Sequence, residues 1–210
     1  FGKLYAELIE PEMLTFYRFL LGATLLGLYL IVTKRLSSDL LFKPWRYLIL
    51  GGIYSIYFVF MFIALRYTST ISTSAIFALM PFATLILDSM IFNKKSHSLI
   101  WLALCISSVG ALYIVFDGSL INALNFKLDF GELIFLIGTI VYSSYALVQP
   151  RLNFGENLLI TTFGVLTAGT FILAMSIIIQ GLDFTPTNIS IGLVFLIIYL
   201  AIFASIGTIL

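Results

Sequence analysis

Charged side chains are scarce in this 210-residue chain, of which only 10% is Asp, Glu, Lys or Arg. A soluble domain carries about 25% charged residues, which keep its surface hydrated. Apolar residues make up 61% of the sequence, and the mean hydropathy is +1.12. The net charge of +1 argues against binding nucleic acid, which requires concentrated basic patches. The composition excludes a soluble exterior and predicts an integral membrane protein.

Cysteine and histidine are almost absent. The single cysteine, Cys105, lies inside an apolar run, so neither a disulfide framework nor a thiolate metal site is expected. The single histidine, His97, follows two lysines in a short polar connection, so no histidine triad or metal cluster can be assembled. No glycine-rich phosphate loop is present. We therefore expect no catalytic residue, no metal and no cofactor, and we predict that the chain is not an enzyme.

Long apolar runs make up most of the sequence. A helix needs about 20 apolar residues to cross the hydrocarbon core. Continuous apolarity excludes barrel strands, which alternate apolar and polar residues. Because backbone groups must be satisfied within each span, the runs are predicted to be helices, and the fold class to be an all-α polytopic transmembrane bundle. Seven runs meet or approach the required length: 13–32, 47–65, 70–92, 98–116, 130–148, 157–179 and 189–210.

The connections predict the orientation of these spans. If the connection after the first span is cytoplasmic, seven Lys and Arg residues lie inside and three lie outside. This bias follows the positive-inside rule and places the residues before the first span outside. Residues 15–24 of the first span also match residues 161–170 of the sixth, at a constant offset of 146. These two spans cross in opposite directions, as the inverted repeats of secondary transporters do.

The third predicted span holds an intramembrane carboxylate, Asp88. A carboxylate at depth costs about 2.5–3.5 kcal/mol and is usually turned toward the bundle interior or a cavity. Asp88 is therefore a candidate for proton coupling or substrate contact. The alternative is that it reaches the inner interface and pairs with Lys94 or Lys95.

A proline lies at the middle of the same span. Pro81 removes one backbone hydrogen bond and frees the carbonyl of Phe77, which we expect to line a midplane cavity. Ser74, Pro81 and Asp88 recur every seven residues and so share one helix face. That face is more polar than a stripe exposed to lipid should be, and it is predicted to face a solute path.

Four further polar side chains are candidates. Arg18 lies a little inside the outer end of the first span, where it can attract an anionic solute, pair with a carboxylate, or snorkel to the headgroups. Tyr57 and Tyr142 lie near mid-depth, and Tyr145 follows one turn after Tyr142. Because a phenol at mid-depth needs a hydrogen-bond partner, these rings are expected to line a solute path or to serve helix packing.

The succession of motifs resembles the EamA-like branch of the drug/metabolite transporter superfamily. The resemblance rests on residues 14–23 (LTFYRFLLGA), 64–69 (ALRYTS), 78–84 (ALMPFAT), the Gly-Glu pair at 131–132, and 142–147. It covers essentially the whole chain in order. One departure is that the family often has Gly-Glu where this chain has Asn93 and Lys94.

The resemblance implies ten helices in two inverted repeats. Residues 1–116 would form the first repeat without most of its first helix, with residues 1–8 as the end of that helix. Residues 130–210 would form a second repeat lacking its last two helices. The chain begins at Phe1 and stops inside an apolar run, so a longer natural protein is expected.

The predicted function is that of a secondary transporter, an exporter, that moves a small organic metabolite or drug-like solute by alternating access. It would lie in the bacterial cytoplasmic (inner) membrane as a multi-pass protein. Its expected partners are a small-molecule substrate, lipid, and protons or a counter-solute. The alternative is a membrane-embedded protein without transport activity, either an assembly partner or an enzyme. Neither substrate identity nor oligomeric state follows from the sequence.

Overall fold

The computed structural model describes residues 9–36, 43–93, 97–116, 118–126, 128–183 and 191–201. Within these ranges every regular element is an α-helix, which confirms the predicted all-α class. The helices are α1 (Pro11–Val32), α2 (Trp45–Tyr67), α3 (Thr70–Phe77), α4 (Met80–Phe92), α5 (Ser98–Val115), α6 (Leu120–Leu124), α7 (Phe130–Leu152), α8 (Leu158–Gln180) and α9 (Ile191–Ala201).

Five stretches are long and apolar enough to cross a membrane: α1, α2, the joined α3 and α4, α7 and α8. Two shorter apolar helices, Ser98–Ile114 and Gly192–Ala201, lie within the fourth and seventh predicted runs. The last nine residues of the seventh run, and residues 1–8, lie outside the described residues. The predicted end of the fifth span was wrong, because α7 continues through Pro150 to Leu152. The Asn153 N–H donates to the Gln149 carbonyl at 3.1 Å and closes that last turn.

The ends of the helices follow local capping chemistry. Ser69 accepts the Ser72 N–H at the start of α3, and Asn157 accepts the Leu159 N–H at the start of α8. Asn93 ends α4 with φ of 51°. Asparagine tolerates this left-handed conformation, which glycine adopts freely at helix ends. Asn93 can therefore replace the glycine that the family often has here, whereas Lys94 lies outside the described residues.

The core lies among α1, α2, α7 and α8. Helices α2 and α8 approach closely because glycine lies where they meet. A Cβ on Gly164 would lie 2.6 Å from the Tyr47 ring, and a Cβ on Gly51 would lie 2.7 Å from the Gly169 nitrogen. In a bilayer, such close approach supplies the van der Waals contact that holds helices together.

The contacts define the relative directions of the core helices. Phe19 packs on Gly169 and Gly27 on Phe163, so α1 and α8 are antiparallel. Helix α2 runs parallel to α8 and antiparallel to α7, whose Gly131 meets Tyr67. Each of these directions is the one expected if successive spans cross the bilayer in opposite directions. The antiparallel packing of α1 on α8 is also what an inverted repeat requires.

Helices α3, α4 and α5 lie at the periphery of this bundle. Helix α4 contains no fully buried residue, although it packs along α7. The directions of α4 and α7 are parallel, because Met80 meets Ser143 and Asp88 meets Arg151. The line of contact between the joined α3–α4 span and α7 therefore forms the wall of a groove.

Candidate functional site

The third span is broken at Ala78 and Leu79, between α3 and α4. Ser108 of α5 donates its hydroxyl to the Ala78 carbonyl at 3.2 Å. The Ser143 hydroxyl of α7 lies 3.3 Å from the Met80 carbonyl and 2.9 Å from the Thr139 carbonyl of its own helix, and the shorter distance takes its proton. The Ser108 hydroxyl thus reaches the backbone that the break exposes. The predicted break is confirmed. The carbonyl predicted to be freed was that of Phe77, and the Ser108 hydroxyl binds the next one along the chain.

An open cavity lies on one side of this break. Its volume is about 280 Å³. The charge bias predicts that this end of the bundle faces outside, and we call it the outer cavity. Its walls come from α2, α3 and α7. The lining residues are Tyr57, Thr73, Ser74, Phe77 and Phe135.

A second open cavity, the inner cavity, lies on the other side of the break, toward the predicted cytoplasmic end. Its volume is about 330 Å³. Helices α4, α5 and α7 form its walls. The lining residues are Met80, Pro81, Thr84, Leu85, Asp88, Leu104 and Leu147. The face predicted from the seven-residue spacing therefore divides between two cavities, with Ser74 in the outer one and Pro81 and Asp88 in the inner one.

Aromatic rings lie between the two cavities. The ring of Tyr142 is 5.9 Å from that of Phe77 and 4.5 Å from that of Tyr57, centroid to centroid. Tyr145 is 6.0 Å from Tyr142 and 4.9 Å from Tyr54. The predicted tyrosines are thus brought together in one layer. Sequence reasoning missed Tyr54, although its spacing of three residues before Tyr57 places both rings on the same side of α2.

Arg18 is buried beside this layer, with 1% of its surface exposed. Its Cζ atom lies 3.8 Å from the centroid of the Phe58 ring, a cation–π geometry. The side chain therefore points into the bundle, and the snorkelling alternative does not hold. Attraction of an anionic solute and pairing with a carboxylate stay predictions for this arginine.

Asp88 forms an ion pair across the groove. Its Oδ1 atom accepts a hydrogen bond from Arg151 Nη2 at 2.7 Å, and its side chain is 19% exposed. The predicted partners Lys94 and Lys95 lie outside the described residues. Arg151 follows Pro150, which sequence reasoning had assigned to a connection. The extra turn of α7 is what brings the arginine alongside α4.

The Gly-Glu pair of the resemblance has a structural role at the outer end of α7. Glu132 is 6% exposed, and its carboxylate accepts a hydrogen bond from the Thr68 hydroxyl. Gly131 lies against Tyr67 so closely that a Cβ would be 2.9 Å from the Tyr67 Cβ. Two motifs that are 64 residues apart in the chain therefore join α7 to the end of α2. Nothing in the sequence alone indicated this contact.

A buried ion pair joins α2 to the α7–α8 connection at the opposite end. Arg46 donates to the Glu156 carboxylate, and Nη1 of the same arginine donates to the Leu152 carbonyl at 3.0 Å. The Glu156 side chain is 5% exposed. The hydrogen bond from Arg46 holds the pKa of the Glu156 carboxyl below its ordinary value, although burial acts in the opposite direction. From the sequence, these residues were predicted only to be charges on the cytoplasmic side.

Metal binding has no geometric support in the part of the chain that the structure describes. No three side chains of His, Cys, Asp or Glu come together there. The described residues do bring together the outer and inner cavities beside the broken span, aromatic rings near the break, and ion pairs where helices of the two predicted repeats meet.

Comparison with known proteins bears on this arrangement. The model of the EamA-like transporter family matches residues 1–116. The chain is 26% identical over 200 residues to the uncharacterized transporter YyaM of Bacillus subtilis (strain 168), covering 94% of this chain and 65% of that protein. It is 29% identical over 163 residues to the uncharacterized inner membrane transporter YhbE of Escherichia coli (strain K12). That match covers 71% of this chain and 48% of that protein.

The chain thus spans about two thirds and about half of the lengths of these relatives. The family and the names of the relatives support a membrane transporter rather than an enzyme. Together with the five spans they confirm the predicted location, a multi-pass protein of the inner membrane. Because the family model matches more than half of its residues, the chain belongs to the EamA-like transporter family.

Proposed function

We propose that the protein exports a small organic solute across the cytoplasmic membrane by alternating access. The observation that carries this proposal is the pair of open cavities on opposite sides of one broken helix. A solute can occupy either cavity, and the aromatic layer separates the two. A transporter that works by alternating access needs this arrangement, whereas a continuous pore does not.

The break between α3 and α4 supports a moving element. At the break the Ala78 carbonyl accepts a side-chain hydroxyl of Ser108 instead of a backbone N–H, and such a bond is easier to exchange than a continuous helical ladder. Helix α4 is not fully buried at any residue, so it can shift against α7 with little loss of packing. Movement of α4 would change access to the inner cavity while the core helices stay in place.

The antiparallel packing of α1 on α8 supports a path between two inverted repeats. On this proposal residues 1–116 belong to one repeat and residues 130–210 to the other. Most walls of both cavities come from the first repeat, and α7 of the second repeat completes them. The proposed path residues are those predicted from the sequence: Ser74, Tyr57, Tyr142 and Tyr145 on the outer side and in the layer, Pro81 and Asp88 on the inner side, and Arg18 beside the layer.

Export by a secondary transporter requires an energy source, for which we propose a proton or counter-solute gradient. No phosphate-binding loop is present in the sequence to supply energy from a nucleotide. The aromatic character of the layer fits an organic solute rather than an inorganic ion, because aromatic and apolar side chains dominate small-molecule sites.

Cysteine accessibility in the full-length protein tests the proposal. All native cysteines of the full-length protein, Cys105 among them, are replaced with Ala, and one cysteine is introduced by Ser74→Cys or by Thr84→Cys. A membrane-impermeant thiol reagent is expected to label the first from the periplasmic side only and the second from the cytoplasmic side only. Addition of a transported solute should change the two labelling rates in opposite directions.

A control for this experiment is Leu102→Cys on the exposed surface of α5, which should resist the hydrophilic reagent from both sides. Labelling of both cavity positions from one side would indicate a continuous pore and contradict alternating access. Uptake and efflux assays in proteoliposomes across a panel of metabolites complete the test. Folded protein that moves no solute, with or without a pH gradient, would contradict transport itself.

A further inference from the structure

The inner cavity combines apolar walls with one carboxylate. Leucine, methionine and proline side chains provide most of its lining, and Asp88 is its only charged lining residue within the described part of the chain. The hydroxyl of Thr84 is already used, because it donates to the Met80 carbonyl at 2.9 Å. The cavity therefore presents hydrocarbon surface and a negative charge, and it offers no free hydroxyl proton to an anion or a polyol.

Within the described residues, only one oxygen of the Asp88 carboxylate accepts a hydrogen bond. Oδ1 accepts the hydrogen bond from Arg151, whereas no donor from the described residues contacts Oδ2. The side chain is mostly shielded, since 19% of it is exposed. A partly desolvated carboxylate oxygen at an apolar surface attracts an organic cation more strongly than one in bulk water does.

The positive partner lies at the edge of the cavity. Arg151 does not itself line the cavity but contacts Asp88, which does, and its guanidinium carbon lies 3.4 Å from the centroid of the Phe92 ring. Its Nη1 atom donates to the Leu147 carbonyl at 2.6 Å. The guanidinium group is thus held by contacts with α4 and with its own helix, α7. Among the described residues, Asp88 and not Arg151 therefore supplies the charged group on the wall of the cavity.

We propose that the inner cavity binds hydrophobic organic amines in their cationic form. The ammonium group would contact Asp88 and compete with Arg151 for its carboxylate, while the hydrocarbon part packs against the apolar walls. A volume of about 330 Å³ suits a small organic molecule. This inference rests on the proposed transport function, because it names the class of solute that the inner cavity takes.

Equilibrium binding to the purified full-length protein tests the proposal with three matched probes. They are 2-phenylethylamine, which is a cation at neutral pH, 2-phenylethanol, which is neutral, and 3-phenylpropionate, which is an anion. We expect the amine to bind most tightly. Asp88→Asn should weaken amine binding at least about tenfold and leave binding of the alcohol unchanged.

Arg151→Gln is the second variant, and it should tighten amine binding because it removes the competing cation. A misfolded variant cannot produce this gain, so the result remains interpretable if Asp88→Asn fails to fold. Asp183→Asn changes an exposed carboxylate outside the spans and should leave the affinity unchanged. Unchanged amine affinity in folded Asp88→Asn, or tighter binding of the anion than of the amine, would overturn the proposal.

Transport measured in parallel separates this proposal from the proposed function. Gradient-driven movement of another solute, unaffected by Asp88→Asn, would overturn the amine proposal and leave transport intact. Amine binding that depends on Asp88, without movement of any solute across the membrane, would support the site and contradict transport. Asp88-dependent movement of 2-phenylethylamine would support both.

Discussion

The ring of Phe77 lies 5.9 Å from the ring of Tyr142, centroid to centroid, at the point where the outer cavity ends. Phe77 is the last residue of α3, and Tyr142 lies halfway along α7. Seven residues before Tyr142, Phe135 lines the outer cavity, and five residues after it, Leu147 lines the inner one. On the proposed function, this pair of rings would separate the two cavities.

Replacement of Phe77 with Ala is expected to join the two cavities. Gradient-driven accumulation of solute should fall severalfold, while passive leak of the same solute through the protein should rise. Accumulation and leak are both measured in proteoliposomes. Phe171→Ala, which removes an exposed ring from α8, is the matched control and should change neither. Accumulation that stays at the wild-type level in Phe77→Ala would mean that this ring does not separate the cavities.

Replacement of Pro81 with Ala should repair the break in the third span. The alanine supplies a backbone N–H that can bond to the Phe77 carbonyl, worth about 1 kcal/mol. We expect thermal stability in detergent to rise and the transport rate to fall, because the break is the proposed moving point. Pro150→Ala, in the last turn of α7, is the control for loss of a proline from a helix. A stabilised Pro81→Ala protein with undiminished transport would count against a role for the break.

Replacement of Gly164 with Ala should separate α2 from α8. The added methyl group would lie 2.6 Å from the Tyr47 ring, so the ring or the helix must move. Such overpacking costs about 1–3 kcal/mol. Gly110→Ala on α5 adds the same group where no atom lies within 4 Å and should not destabilise the protein. Unfolding in a denaturant series measures both, and equal stabilities of the two variants would contradict the close packing described for α2 and α8.

The Arg46–Glu156 pair should make stability depend on acidity. The pKa of the Glu156 carboxyl is lowered in the folded protein, so the unfolded chain takes up its proton first as pH falls. The stabilisation is complete above the unfolded pKa of about 4.3 and is lost as pH falls through the lower folded value. At neutral pH, Glu156→Gln should cost about 3 kcal/mol, because it removes the carboxylate that neutralises the charge of a buried arginine.

The control for that pair is Glu10→Gln, since Glu10 contacts Arg66 at 3.3 Å with 52% of its side chain exposed. An exposed pair contributes less than about 1 kcal/mol. The thermal stability of both variants is compared with the parent from pH 7 to pH 3. The Glu156→Gln difference should shrink toward pH 3; a difference that stays constant over that range would contradict the linkage.

Hydropathy was enough to predict the class and the spans. Backbone groups in lipid must bond within their own segment, so apolar length alone predicted the long helices between Pro11 and Gln180 to within about four residues, whereas the short helix Leu120–Leu124 lies in a stretch predicted to be a polar connection. The break at Pro81 was predicted for a similar reason, since proline lacks a donor wherever it lies. The extension of α7 past Pro150 was missed because hydropathy falls there while the helical geometry continues.

The sequence by itself determined which segments are helical and apolar enough to cross the membrane, and that the third span breaks. These properties are local, since they depend on the solvation of each segment and on its own backbone. Only the tertiary structure decided that Asp88 meets Arg151, that Glu132 meets Thr68, and that Ser74 and Pro81 belong to different cavities. Such contacts depend on the rotation and register of neighbouring helices, which short apolar motifs leave open because many rotations bury similar area.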